Sequence, residues 1–272
     1  VETIKTELAA LIFLAVLVQA AAAYECNAST LGWWTLNEST GTNFINSCNT
    51  GNLTTDTATV THQITGVFNW AANTSGASGH INVGKLNLTV PGTSNNTGTA
   101  TAFINASGQN PSNNRRAILG KLNNVGGEAN GLHVILLDVN ATYKQLQCYV
   151  NATNIDMGLY VPYGGASPWM FVACVYNGTH MKGYVNNTNA TIAYAGGTFG
   201  NGAYNYSIGA WGEYVPGNWA MLYGSEDEIT LWNAALTDTQ INNIRYYGNI
   251  TGLYSPPTGT IGCNITLDSP AT

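Results

Sequence analysis

The 272-residue chain predicts a mainly β protein, a β-sandwich preceded by a long N-terminal hydrophobic α-helix. Three observations carry that prediction. Residues 8–23 (LAALIFLAVLVQAAAA) contain a single polar side chain, Gln19. From Asn27 onward, short runs rich in β-branched and aromatic residues alternate with Gly, Asn and Ser clusters, which is how a sandwich reads. Hydrophilicity comes from neutral residues: 34 Asn, 33 Thr and 31 Gly stand against 8 Lys+Arg and 14 Asp+Glu.

That balance excludes several classes. Charged residues make up 8% of the chain and the formal net charge is −6, where soluble domains carry about 25% charged residues. Eight dispersed cations cannot form a phosphate-neutralising stripe, so no nucleic-acid partner is expected. A charge-rich disordered tail and a cytosolic housekeeping enzyme both fit poorly.

The N-terminal element comes first. No Pro or Gly interrupts residues 1–24 and Ala and Leu dominate, so they predict a helix, about 36 Å long at 1.5 Å per residue. Leu8, Leu11, Ile12, Phe13, Leu14, Val16, Leu17 and Val18 surround its axis and leave no polar face. Such a helix is buried on every side, in lipid or among copies of itself. A secretory signal peptide would explain the Ala-rich ending before Tyr24, but Glu2 and Glu7 outweigh Lys5 and the chain opens on Val. A transmembrane anchor is open as well, although 16 residues is slightly short for a bilayer. The third reading is a filament-core helix, exposed once a peptidase removes a short charged leader.

On the segment VETIKTELAALIFLAVLVQAAAAYE, followed by a Gly/Asn/Thr-rich β region, the chain resembles archaeal type IV pilins and archaellins. The resemblance implies a helical homopolymer of identical subunits, with helices bundled inside, heads outside, and membrane contact only before assembly. Bacterial pilins place Glu at the fifth position, where Lys5 stands here, so that residue's role does not carry over. Glu2 or Glu7 can pair with Lys5 within or between helices, or remain solvated.

In the head, β runs fall at 31–36, 64–71, 81–90, 99–106, 116–123, 131–139, 144–151, 169–177, 182–188, 205–211 and 226–233. Turn signals such as Gly126-Gly127, Gly164-Gly165 and Gly196-Gly197 separate them. Residues 237–240 (TDTQ) form a capping box that opens a short helix ending near Tyr247. The division is helix 1–24, neck 25–29, head 30–250 and tail 251–272.

Trp34-Thr35-Leu36 opens a strand. Trp169, Phe171, Val172, Ala173, Val175, Tyr176 and Gly178, then Tyr184, Val185 and Asn186, form a hairpin pattern. Tyr206 to Gly209 form another strand, and Gly224, Asp227, Glu228, Ile229, Leu231, Trp232, Asn233, Ala235, Leu236, Thr237, Gln240 and Ile241 close the region. In these motifs residues 30–250 resemble the laminin-G-like, concanavalin A-like family, which implies a jelly roll. The run 99–105 (TATAFIN) departs from the family's aromatic-rich strand.

That fold hosts lectins, calcium sites and glucanases. Retaining glucanases present two carboxylates about 5–5.5 Å apart, and Glu226-Asp227-Glu228 is the dense acidic cluster here. Strand alternation predicts Glu226 and Glu228 on one face. The glucanase spacing is missing because Thr230 and Leu231 follow, so Asp227 reads as structural and no catalytic residue or enzyme is expected. Asp56, Asp138, Asp156 and Asp227 are scattered, so no motif places a calcium ion, although a rim site is left open. His62, His80, His133 and His180 lack zinc spacing and read as loop or surface residues. No resident cofactor is expected.

Asn-x-Ser/Thr occurs at Asn27, Asn37, Asn52, Asn73, Asn87, Asn95, Asn105, Asn140, Asn151, Asn177, Asn186, Asn189, Asn205, Asn249 and Asn264. Composition alone would produce roughly six such sites, so N-glycans and an extracellular location are expected. Disulfides are then the default for five cysteines. Cys148 and Cys174 sit centrally in strong β runs and predict a bridge between neighbouring strands. Cys26, Cys48 and Cys263 allow three pairings and leave one thiol over; a Cys26 bridge would brace the neck. Together with the two resemblances, these features imply a glycosylated subunit of a cell-surface filament that contacts glycans or other cells. The alternative is a membrane-anchored lectin or adhesin.

Overall fold

The computed structural model describes residues 26, 28–48, 53–56, 60–74, 79–86, 88, 96–106, 114–121, 131–140, 142–150, 153–162, 169–196, 199, 205–211 and 220–247. Its strands are β1 (Thr30–Trp34), β2 (Asn43–Ile45), β3 (Leu53–Asp56), β4 (Thr61–Thr65), β5 (Trp70–Asn73), β6 (Ile81–Lys85), β7 (Gly98–Ala106) and β8 (Arg115–Lys121). They continue with β9 (Leu132–Asp138), β10 (Tyr143–Val150), β11 (Thr153–Pro162), β12 (Met170–Tyr176), β13 (His180–Val185), β14 (Thr188–Ala193), β15 (Asn205–Ile208) and β16 (Gly224–Trp232). One helix, α1 (Asp238–Tyr247), follows.

The strands form two eight-stranded sheets. The β16 sheet runs β14-β13-β12-β7-β16-β5-β4, and β1 also pairs with β16. The β9 sheet runs β11-β10-β9-β8-β15-β6-β3-β2. Between them, Ala100, Ala102 and Ile104 of β7 and Val172, Cys174 and Tyr176 of β12 meet Val134, Leu136, Leu146 and Cys148 from the other sheet. This is the two-residue period of a pleated strand.

The run MFVACVY of β12 is apolar throughout because both of its faces are covered. Outside the sandwich, Leu236, Ile241 and Ile244 at α1 pack on Phe103, Phe171, Val175, Tyr184 and Trp232. The capping box forms as expected: Thr237 Oγ1 accepts from the Gln240 N–H at 3.3 Å, and Gln240 Oε1 accepts from the Thr237 N–H at 2.9 Å. Lys182 and the Tyr184 hydroxyl both reach Asp238 at 2.7 Å and fasten the helix to β13.

Cys148 and Cys174 are bonded, with Cα atoms 5.8 Å apart, but β10 and β12 belong to opposite sheets. The expected bridge between neighbouring strands is instead a staple across the core, because both cysteines point inward. Cys26 bonds Cys48 with a Cα separation of 5.2 Å; Cys263 lies outside the described residues. So do residues 1–24, where the helix with its eight apolar positions is expected, and the tail 251–272. Among the described residues no helix is long and apolar enough to cross a membrane.

The two ends of the sandwich differ. At the neck end, Thr30 pairs with Trp232, and Ser29 O accepts from the Asn233 N–H at 2.9 Å. The β12–β13 turn shares this end, since Tyr176 pairs with Gly98 while Thr99 pairs with Trp232. At the far end Lys144 Nζ donates to Ala106 O at 3.3 Å, bringing the β9–β10 turn beside the end of β7.

Candidate functional site

The outer face of the β9 sheet concentrates aromatic and polar groups that sequence reasoning did not single out. Register places Ala117, Ile135 and Gln147 in one row and His133 beside Tyr149 in the next. Trp211 lies over this floor because Gly120 has no side chain: a Cβ there would meet Trp211 Cα at 2.8 Å and Ala210 O at 2.9 Å. The Trp211 ring stands edge-on to Tyr149 at 5.0 Å and to His133 at 5.8 Å. The Arg115 guanidinium sits 5.6 Å from the Tyr149 centroid and 5.7 Å from that of Trp211, a cation–π arrangement. His133 is therefore a buried strand residue rather than a surface one, and His80 is buried too. His62 stacks on Phe44 at 4.9 Å, and His180 is exposed.

This box is closed, with Tyr149, His133 and Trp211 all buried. Two of its polar atoms, Gln147 Oε1 and Trp211 Nε1, have no hydrogen-bond partner among the described residues. Buried groups of that kind are normally satisfied by water or ligand. Beside the box the face opens. On β11 the outward side chains Asn154, Asp156 and Tyr160 alternate with buried Ile155, Met157, Leu159 and Val161. Tyr160 is 53% exposed and meets Tyr143 edge-on at 4.8 Å, opposite Gln145. An exposed ring with amide and carboxylate neighbours offers an apolar platform and directional hydrogen bonds, the mixture that a polar ring-shaped ligand needs.

The acidic triplet is arranged differently from the strand-alternation expectation. Glu226 pairs with Ala72 and Ile104, which face the core, so its carboxyl points between the sheets. Burial holds its pKa well above the ordinary carboxyl range, with the backbone of Gly209 opposing. Glu228 has φ of +50°, and the register slips between Asp227 and Thr230. This bulge turns Asp227 and Glu228 together onto the outer face. Glu226 and Glu228 therefore do not share a face. Asp227 Oδ2 accepts from the N–H groups of Val67 and Phe68 at 2.7 and 3.0 Å, and Glu228 accepts from Trp33 Nε1. Burial pushes Asp227 up to about 7, with backbone hydrogen bonds from Phe68, Val67 and Glu228 opposing.

The other aspartates are also separated. Asp138 holds Arg116 through bonds of 2.8 and 2.6 Å, and Asp156 Oδ1 accepts from the Gly158 N–H at 2.9 Å. Among the described residues no group of three or more His, Cys, Asp or Glu is placed to hold a metal.

Of the sequons, Asn140, Asn177 and Asn189 are exposed, while Asn37, Asn73, Asn105, Asn186 and Asn205 are half-buried. Asn27, Asn52, Asn87, Asn95, Asn151, Asn249 and Asn264 lie outside the described residues.

No family model matches the chain, nor does any curated protein sequence. Solved structures share its fold. Domain 4 of AbnA, an extracellular GH43 arabinanase of Geobacillus stearothermophilus in complex with arabinotriose, superposes with a TM-score of 0.54 at 14% identity, covering 80% of this chain and 98% of that one. The binding domain of botulinum neurotoxin serotype D gives 0.57 at 16% identity, with 82% and 51% coverage. Trypanosoma rangeli sialidase in complex with sialic acid gives 0.57 at 14%, with 84% and 34% coverage. These similarities show the fold: the head is a jelly-roll β-sandwich, as its motifs implied.

Proposed function

We propose that the chain is a structural subunit of an extracellular type IV pilus-like filament. Helices of residues 1–24 form the core, and glycosylated β heads form an outer surface that adheres to glycans. The observation that carries this reading is the neck. The apolar run ends at Ala23, and Cys26 is bonded to Cys48 where β1 enters one end of the sandwich. A polymerised helix would thus hold each head by one end and present the other outward. Two disulfides support an oxidising, extracellular setting. Fold neighbours solved with arabinotriose and sialic acid support glycan contact, and exposed Tyr160 with its polar neighbours offers a face for it. The chain is read as non-catalytic because Asp227 and Glu228 hold neighbouring groups while Glu226 points into the core.

Electron microscopy of material sheared from cells without detergent tests the filament. Polymers whose mass spectra contain this chain are expected; detergent-free monodisperse monomers would overturn the reading. Detergent-dependent monomers that bind glycan arrays would instead establish the anchored lectin.

A further inference from the structure

Asn140 and Asn177 share one local geometry. Asn140 Oδ1 accepts from the Thr142 N–H at 2.8 Å, the Thr142 hydroxyl at 2.6 Å and the Tyr143 N–H at 3.2 Å. Asn177 Oδ1 accepts from the Thr179 N–H at 3.0 Å, the Thr179 hydroxyl at 3.1 Å and the His180 N–H at 2.8 Å. Each carboxamide is gripped by its oxygen alone, in an exposed hairpin turn of Asx type. Among the described residues neither Nδ2 donates a hydrogen bond.

Asn73 and Asn186 are half-buried, and each uses Nδ2 as a donor. Asn73 Nδ2 donates to Ser225 Oγ at 3.1 Å across the β5–β16 pairing. Asn186, with φ of +50°, donates from Nδ2 to Met170 Sδ at 3.1 Å while its Oδ1 accepts from the Phe171 N–H at 2.9 Å. Its backbone N–H reaches Phe171 O at 2.8 Å, and its carbonyl accepts from Arg245 of α1. This residue ties the β13–β14 turn to β12 and to the helix. A glycan on its nitrogen would have to replace an Nδ2 hydrogen at a half-buried position packed against Met170.

Resting on the reading of the head as a glycosylated surface, we propose that the fold sorts the sequons: Asn140 and Asn177 carry N-glycans, and Asn73 and Asn186 stay bare. The donor is a lipid-phosphate-linked glycan brought by a membrane transferase. Nδ2 bonds to the anomeric carbon, the carbon–oxygen bond to phosphate breaks, and the lipid phosphate leaves with the electron pair. One Nδ2 proton passes to a base on the transferase, so the step balances without a redox partner. Because the two modified turns lie at opposite ends of the sandwich, sugar screens both the neck end and the outward end.

Site-resolved glycopeptide mass spectrometry of the native chain tests the sorting. The ratio of modified to bare peptide is expected to be at least tenfold higher at Asn140 and Asn177 than at Asn73 and Asn186. Equal occupancy at all four overturns the sorting and leaves the glycosylated surface standing. Sugar at none of the sequons overturns both. A second measurement presents the full chain to transferase and donor, folded in one sample and reduced and unfolded in the other. The four sites should converge on unfolding. A difference that persists in the unfolded chain assigns the preference to local sequence and overturns the role of the fold.

Discussion

Arg115 and Arg116 are neighbours in sequence with opposite fates. One lies over Tyr149 and Trp211 on the outer face; the other is fully buried and bonded twice to Asp138. A buried guanidinium that loses its carboxylate leaves an uncompensated charge, so Asp138→Ala should cost about 3–5 kcal/mol in urea unfolding. Changing both partners to Leu should cost less than that single substitution. The other buried charges predict an unusual pH profile. Asp227 is raised to about 7, so the folded chain holds its proton where the unfolded chain has released it; stability is fully present at acid pH and falls as pH rises toward 7. Lys144 is lowered to about 7, first by burial and then by Arg116, so its contribution is present at high pH and is lost as pH falls through 7. Burial raises Glu226 and Glu228 as well, so their contributions are also lost as pH rises and oppose the Lys144 gain. Thermal stability should fall between pH 5 and 7, and Asp227→Asn should flatten that fall. None of this was legible beforehand, because alternation does not reveal which face is covered or where a bulge reverses it.

At the level of elements, the long apolar runs and the capping box were readable because their signals are local. β12 and α1 formed where periodicity and capping placed them. Thr237→Ala should cost about 1 kcal/mol by removing the cap, measured by chemical denaturation. The strands that sequence reasoning passed over are short or interrupted. β2 has 3 residues, and β11 carries Asp156 and Gly158 that read as turn formers until strict alternation from Ile155 to Val161 is seen in the sheet. The cysteine pair was legible as a pair, but its placement across the sheets depends on tertiary pairing. Opening the Cys148–Cys174 link by double substitution to Ser should cost about 3 kcal/mol for a loop of this length, read as a lower denaturant midpoint.

For the whole molecule, the sandwich was legible from turn spacing and low charge, whereas the aromatic face was not. Its members come from β8, β9, β10 and the segment after β15, and only the folded sheet gathers them. Tyr160→Ala should weaken glycan binding about tenfold, given stacking worth roughly 1 kcal/mol or more, and leave the unfolding midpoint within about 0.5 kcal/mol, as for an exposed site. Titration calorimetry with an oligosaccharide recognised on an array checks the first, and thermal unfolding the second. The neck has a mechanical corollary. β1 starts at the end where the chain enters and runs antiparallel along β16 from Trp232 toward Ile229. A pull between the neck and a partner gripped at the far end acts along that strand, while the hydrogen bonds joining β1 to β16 lie across it. The ladder is thus loaded in shear, with its rungs sharing the force together instead of unzipping one after another, and the Cys26–Cys48 link stands before it in the line of tension.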